Sequence, residues 1–394
     1  MNKQNIKYCA LTTISNSLKS FVLPSLIELK KQGYEITVSC ARDDNFAEMV
    51  KDEFTYFPLD ISRGFHLSKT IKNIFVLWKF FRKEKFQMIE YGTENIALCA
   101  SIAGFFARIP VRIYNHWGAR YVGLSGFSRI LSIWIERLAA LFSTDVRQVS
   151  HKNAQMCVED KIYSAKKVKV LGKGGTIGVD FSKFNFQKKG IYRKEILEQL
   201  NIPFDSKILG FIGRIQRDKG INELLTVFQK IYEEDNKLYL LLVGAMDSTN
   251  PVSVEKLEWA KKCTNVIFVG HVSDVHRYLS TFDIMVHPTY REGFGMVLQE
   301  AAALKVTIIT TDIVGPGEYV LNNKTGVLVP AKNEHVLYKA IKELLENEEK
   351  CMLFAEQNYQ YTLENFERSL MVERIIEDRI HLLSEYRKKY MEWR

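Results

Sequence analysis

The chain has 394 residues, 46% of them hydrophobic, more core than one ordinary domain buries, so two domains of about 150 to 200 residues are expected. The formal net charge of +9 is unevenly held: residues 1–190 carry 29 Lys and Arg against 16 Asp and Glu, and the remainder carries 26 against 30. A basic first half suits something anionic, whether a membrane surface, a lipid-linked diphosphate or nucleic acid, and charge alone does not choose among them.

Six scattered cysteines (Cys9, Cys40, Cys99, Cys157, Cys263 and Cys351) show no Cys-x-x-Cys and no Cys/His pairing at metal-ligand spacing. They read as reduced core thiols of a cytosolic chain. The uncharged stretch Ile96–Ala107 is too short to cross a hydrocarbon layer of about 30 Å. The early apolar run Tyr8–Ile14 lacks a cleavage pattern, so neither a transmembrane helix nor a secretory signal is expected.

Along the chain, short β-type runs alternate with amphipathic helical patterns. The series begins with Lys7–Ile14, a helix over Phe21–Gln32 ended by Gly33, and Tyr34–Ser39. It resumes with Lys207–Gly213, a helix near Asn222–Glu234, then Lys237–Gly244, Val266–Val269, Asp283–His287, a helix at Met296–Leu304, and Val306–Thr311. Such alternation predicts parallel strands with crossover helices, and uniformly apolar strands predict sheets covered on both faces. The glycine-dense Gly172–Asp180 interrupts the pattern and is the expected hinge. Leu370–Arg394 reads as one long packing helix. The expected domains are therefore 1–180 joined by 370–394, and 181–369.

Two segments carry chemistry. In the first, a strand ends at Gly213 and is followed by Arg214 and Lys219. A guanidinium fork and a compact ammonium at the carboxyl end of a strand can together grip a diphosphate, although the same spacing also occurs in solvated loops. In the second, Glu292-Gly293-Phe294-Gly295-Met296 leads from a strand into a helix that carries Glu300. Backbone N–H groups without obstructing side chains, at a helix start, make an anion or sugar cradle. Glu300 is expected about two turns into the helix, roughly 12 Å from Glu292 along its axis. That separation suits two grips on one long ligand better than a hydrolase pair about 5 to 9.5 Å apart.

With these residues in place, the chain resembles the retaining glycosyltransferases of family four, which have the two-domain GT-B fold. The resemblance rests on Glu292-x7-Glu300, on Gly213-Arg214-x4-Lys219-Gly220, on Gly270-His271-Val272 after an apolar strand, and on Thr325–Pro330. It implies an α/β architecture of two Rossmann-like doubly wound domains facing a cleft, with the C-terminal helix packing back towards the N-terminal domain. It further implies that Arg214 and Lys219 contact the donor diphosphate, Glu292 the donor sugar, and the Phe294-Gly295-Met296 backbone sugar and phosphate. Glu300 would then hold the ribose, and Gly213, His271 and Val272 complete the donor site. In the first domain the family's Gly-Gly loop is replaced by Thr12–Lys19, where Ser15, Asn16 and Lys19 are candidate phosphate donors. His116 matches the family's strand-end histidine, as a donor-sugar contact or as a hydrogen-bonded structural residue. Arg120 is a phosphate contact or an ordinary surface Arg.

Same-face attack is the implied route, with Arg214, Lys219 and the helix N-terminus stabilising the departing diphosphate. No Asp-x-Asp or His-Glu-x-x-His occurs in the sequence, so neither metal nor cofactor is expected beyond the nucleotide-sugar donor. The resemblance is closest to bacterial capsule, O-antigen and glycan assembly enzymes, in part through Asp312–Glu318. It implies a hexose or N-acetylhexosamine moved from a UDP-sugar to a polyprenyl-diphosphate-linked saccharide. The basic, aromatic stretches Lys69–Phe86 and Tyr121–Phe142 are either core helices with solvated basic faces or contacts to an anionic membrane, which would place the enzyme peripherally on the inner face of the cell membrane. The competing functions are a nucleotide-sugar 2-epimerase and a non-catalytic polyanion- or membrane-binding protein. Nucleic acid is disfavoured because no zinc finger or single-strand-binding aromatic signature accompanies the charge.

Overall fold

A computed structural model describes residues 6–392 apart from positions 63 and 65, with side chains described through 388. The chain divides into two compact units, Met1–Ile177 with Ser369–Arg394, and Gly178–Arg368.

Among the described residues, the first unit holds strands β1 (Ile6–Leu11), β2 (Tyr34–Ala41), β3 (Thr55–Leu59), β4 (Met88–Gly92), β5 (Val111–His116), β6 (Asp145–Gln148) and β7 (Val168–Val170). They form one sheet in the order β3-β2-β1-β4-β5-β6-β7. Every pairing is parallel, with Ile6 opposite Tyr34 and Tyr8 opposite Met88. Successive residues point to opposite faces, yet β4 is buried throughout, so both faces are covered.

The second unit holds β8 (Lys207–Ile212), β9 (Leu238–Val243), β10 (Val266–Gly270), β11 (Ile284–His287), β12 (Thr307–Thr311) and β13 (Val327–Val329). Its sheet runs β10-β9-β8-β11-β12-β13, again parallel, with Ile284 opposite Leu209. In each sheet the strand order reverses once, between β1 and β4 and between β8 and β11. Loops leaving the carboxyl ends of those neighbours diverge and open a crevice where ligands bind.

Three expected elements differ in detail. The single helix over Phe21–Gln32 is two, Ser15–Phe21 and Leu23–Lys31, broken at Val22 (φ −129°, ψ −43°) because Pro24 occupies the first turn of the second. β1 stops at Leu11, since the Thr12 hydroxyl donates to the Ile14 carbonyl at 2.7 Å and turns the chain. The stretch 121–142 opens with a 3-10 turn, Arg120–Gly123, before the helix Gly126–Phe142 begins. Among the described residues, no helix is long and apolar enough to cross a membrane. Four of the six cysteines, Cys9, Cys40, Cys99 and Cys157, are buried thiols, as expected.

The last helix, Arg368–Glu392, belongs from Ser369 onward to the first unit, held there by buried charge. Arg379 donates to Glu90 of β4 at 2.8 Å, to Asn115 of β5 at 3.2 Å and to Asp378 at 2.7 Å. Asp378 also accepts a two-pronged contact from Arg147 of β6, at 2.7 and 3.0 Å. All four charged side chains are nearly inaccessible, so each depends on the others for solvation. Arg379→Met is expected to leave Glu90 without its cation, lowering stability by about 3–5 kcal/mol and Tm by roughly 10 °C by circular dichroism.

Candidate active site

The two chemistry-bearing segments meet at the carboxyl ends of β8 and β11. Strand β8 delivers Gly213, whose N–H donates to the Val243 carbonyl at 3.0 Å, and the chain runs on through Arg214 to a 3-10 turn over Arg217–Lys219. This turn is tied to the loop after β11, since Tyr290 N–H donates to Asp218 O at 2.8 Å and Arg291 Nε to the Asp218 carboxylate at 2.9 Å. Gly220, at φ +71°, closes the turn against that loop: a Cβ there would lie 2.0 Å from the Pro288 carbonyl oxygen.

Lys219 Nζ donates to Glu292 Oε2 at 2.6 Å, and Gly293 N–H donates to Glu292 Oε1 at 3.1 Å. Burial, the largest influence, opposes ionisation of Glu292, but Lys219 together with His287 and the Gly293 N–H outweighs it and brings the carboxyl down to about 2. His287, at the end of β11, is fully buried beside them; burial, and then Lys219, push its imidazole down to about 4 and keep it neutral. Arg214 is half exposed and bound to Asp247 at 2.7 Å. Asp247 is held below the usual carboxylate range by the Thr249 hydroxyl first and by Arg214 in addition.

Past Glu292, Phe294 buries its ring against Tyr319 and Phe366, leaving only its backbone for a ligand. The helix Met296–Ala303 follows Gly295 with no side-chain cap among the described residues, so its first-turn amides face the cradle. Gly315 packs against this loop so closely that a Cβ would lie 2.6 Å from Gly293 O, which explains the first glycine of the Gly-Pro-Gly in Asp312–Glu318. Glu300 is the fifth helical residue, little more than one turn in, and not two turns as expected: the helix starts only at Met296. Burial pushes its carboxyl up to about 7, partly offset by Lys183 and Arg368. His271 and Val272 follow β10, whose Gly270 carbonyl accepts from Gly244 N–H at 2.8 Å, so the loops after β8, β9 and β10 are tied in series.

In the first unit the candidates separate. Arg120 pairs with Glu94, and both line an open cavity with Thr13, Ser17, Thr93 and Asn95 at the ends of β1, β4 and β5. Thr93 sits at φ +73°, a strained position for a β-branched residue, held by Thr13 N–H at 3.1 Å and a hydroxyl contact of 2.7 Å. Asn16 is exposed, but the Ser15 hydroxyl donates to Asp43 at 2.5 Å and is not available to a phosphate.

His116 lies in the core, as its structural alternative expects. Its side chain is 2% exposed and turned into the core of the unit, with Nε2 3.3 Å from Glu136 and Nδ1 within 3.3 Å of Gln148 and Tyr163. Burial, the largest influence, would lower its pKa, but Glu136 and Cys157 together outweigh it and raise it to about 10, which favours a buried imidazolium. Nothing in the sequence pointed to Glu136, which lies on the helix Gly126–Phe142. The residue beyond, Trp117, packs against Phe21 with centroids 4.9 Å apart and the rings tilted by 50°.

Both ion pairs are testable. Folding lowers the Glu292 pKa from 4.5, so its pair with Lys219 stabilises above pH 4.5 and the gain is lost as pH falls toward 2. Lys219→Met is expected to lower stability by about 1–3 kcal/mol at pH 7, a deficit that closes in acid. Folding raises the His116 pKa, so its contribution is complete below pH 6.5 and is lost as pH rises toward 10. His116→Gln is expected to cost about 3–5 kcal/mol at pH 7, measured by denaturant unfolding, with the gap narrowing at high pH.

Comparison with known proteins gives two sequence families, one for each unit. Residues 192–361 match "Glycosyl transferases group 1" and residues 11–149 match "Glycosyl transferase 4-like". The chain is 29% identical to the capsular polysaccharide biosynthesis glycosyltransferase CapM of Staphylococcus aureus over 88% of this chain and 89% of that protein. It is 25% identical to the N,N'-diacetylbacillosaminyl-diphospho-undecaprenol alpha-1,3-N-acetylgalactosaminyltransferase of Campylobacter jejuni, over 91% and 94%. Anabaena HepE, solved with UDP and glucose, has the same fold, with a TM-score of 0.74 over 95% of this chain and 99% of that one at 16% identity. The chain is therefore a glycosyltransferase of the GT-B fold, its second unit matching the group 1 family and its first the 4-like family.

Proposed function

We propose that the protein transfers a hexose or N-acetylhexosamine from a UDP-sugar to a saccharide carried on a polyprenyl diphosphate, with retention at the anomeric carbon, in bacterial surface polysaccharide or glycan synthesis. The observation that carries this is the Lys219–Glu292 pair set beside an uncapped helix N-terminus, with Arg214 on the same loop system. A cation, a carboxylate and free backbone donors at one strand-end crevice suit a ligand with a diphosphate at one point and hydroxyls at another. The relatives support the acceptor class, since the Campylobacter enzyme is named for a sugar on diphospho-undecaprenol, and UDP in HepE supports the nucleotide.

In this scheme the acceptor hydroxyl attacks the anomeric carbon from the face the diphosphate leaves. The bond from that carbon to the phosphate oxygen breaks as the new glycosidic bond forms, and the acceptor proton passes to the departing diphosphate. Arg214, Lys219 and the amides at Gly295–Val297 stabilise the charge growing on the leaving group, without a metal ion. Arg214 must release Asp247 to do so, and its half exposure leaves it room. Glu292, kept ionised, accepts from the donor sugar hydroxyls, and Glu300 from the ribose.

A donor panel scored by thermal shift tests this. A UDP-sugar is expected to raise Tm by several degrees in the wild type and much less in Glu300→Ala. If no nucleotide sugar stabilises the wild type more than Glu300→Ala, the donor site is wrongly assigned. The Glu300 carboxyl, raised to about 7, adds a pH signature: hydrogen bonds from the ribose favour its ionised form, so donor affinity rises as pH climbs through 7 and levels above it. In Glu300→Gln, donor KM is expected to be higher at pH 8 and flat between pH 6 and 8.

A further inference from the structure

The helix Gly126–Phe142 buries Ser132, Ile135, Glu136, Ala139 and Ala140 on its inner face. Its outer face is apolar as well: Phe127, Ile130, Trp134, Leu138 and Leu141 recur at three- and four-residue steps and are 37–77% exposed, Phe127 most of all. A helix that is hydrophobic all round belongs inside something. From Phe127 to Leu141 the stripe covers fifteen residues, about 21 Å along the axis. Phe106, 58% exposed at the end of the neighbouring helix Glu94–Phe106, extends it. On the far side of that helix, Leu67–Glu84 exposes Leu67, Ile71 and Phe75. Half of the exposed large apolar side chains among the described residues fall between Leu67 and Leu141, a clustering that single scattered hydrophobics do not give.

Charge selects the occupant. The only carboxylate on Gly126–Phe142 is Glu136, which is 1% exposed and bound to His116, so among the described residues the outer face carries no anion. Arg129 and Arg137 flank the stripe, with the Arg137 guanidinium 5.6 Å over the Trp134 ring. On Leu67–Glu84 the ammonium of Lys79 lies 4.4 Å over Phe75, while Lys69 and Lys72 share Asp60. Aromatic and aliphatic groups rimmed by cations match the boundary between acyl chains and anionic headgroups. A second copy fits poorly, because a two-fold contact through this stripe would set its arginines against each other.

We infer that the outer face of Gly126–Phe142, with Phe106, seats in the interface of an anionic bilayer. The inference rests on the proposed lipid-linked acceptor and makes it specific. The 3-10 turn Arg120–Gly123 packs on this helix, and it exposes Val122 beside the stripe while its Arg120 lines the cavity with Glu94 and Thr93. Seated this way, the first unit holds that cavity at headgroup depth, where the diphosphate of a membrane-held acceptor lies.

The test is flotation of the full chain with phosphatidylglycerol-containing and with pure phosphatidylcholine vesicles. The wild type and Val254→Gln, an exposed apolar site on the second unit, are expected to float with the anionic vesicles alone. The combined variant Phe127→Gln, Trp134→Gln, Leu141→Gln is expected to lose at least tenfold in partitioning while keeping its circular dichroism, its Tm and its stabilisation by UDP-sugar. Absence of wild-type flotation, equal recovery with neutral vesicles, or unchanged flotation of the combined variant would each overturn the inference. So would a wild-type dimer in sedimentation that this variant abolishes. Donor stabilisation is read without vesicles, so failure of the membrane face and failure of the donor site remain separate results.

Discussion

The second unit is organised around the contact between Lys219 and Glu292. It forms because β8 and β11 are neighbours although far apart in sequence, so the loops leaving their carboxyl ends must share one crevice. Each loop brings one charge, and neither charge could be partly desolvated without the other. The hydrogen bonds between Asp218 and Tyr290 and the tight approach of Gly220 to Pro288 hold the loops in register for that pairing. An ion pair already formed without ligand keeps Glu292 ionised and Lys219 aimed, so a donor meets a site whose electrostatics need little rearrangement.

The first unit uses buried charge differently. Its network of Arg379, Asp378, Arg147 and Glu90 fastens a C-terminal helix across β4 and β6, and the pair of His116 with Glu136 fastens the helix Gly126–Phe142 under β5. The second pair has a consequence at the surface. With its one carboxylate turned inward, that helix presents only apolar and cationic groups to the outside. A basic excess visible in composition thus becomes a face with a direction.

Much of the architecture was legible in the chain. Apolar runs such as Lys207–Ile212, followed by amphipathic segments, announce buried parallel strands because side-chain periodicity is set by backbone geometry alone. The motifs Gly213-Arg214-x4-Lys219 and Glu292-x7-Glu300 were legible for a related reason: each is continuous in sequence and bound to one strand end. Other features were not. Asp247 as the partner of Arg214, and Lys183 and Arg368 beside Glu300, come from segments with no common motif. Ser15 resembled a phosphate donor until Asp43, on another loop, proved to hold its hydroxyl.

The sequence by itself determined the strand and helix pattern, the two-unit α/β plan and the residues at the ends of β8 and β11. These depend on local periodicity and on short stretches of adjacent residues. Tertiary structure alone decided where the side chains point and what meets them. His116 faces Glu136 in the core, Glu300 stands little more than one turn into its helix, and the apolar stripe of Gly126–Phe142 faces outward. Direction and burial depend on partners brought from distant parts of the chain, and a one-dimensional pattern does not specify them.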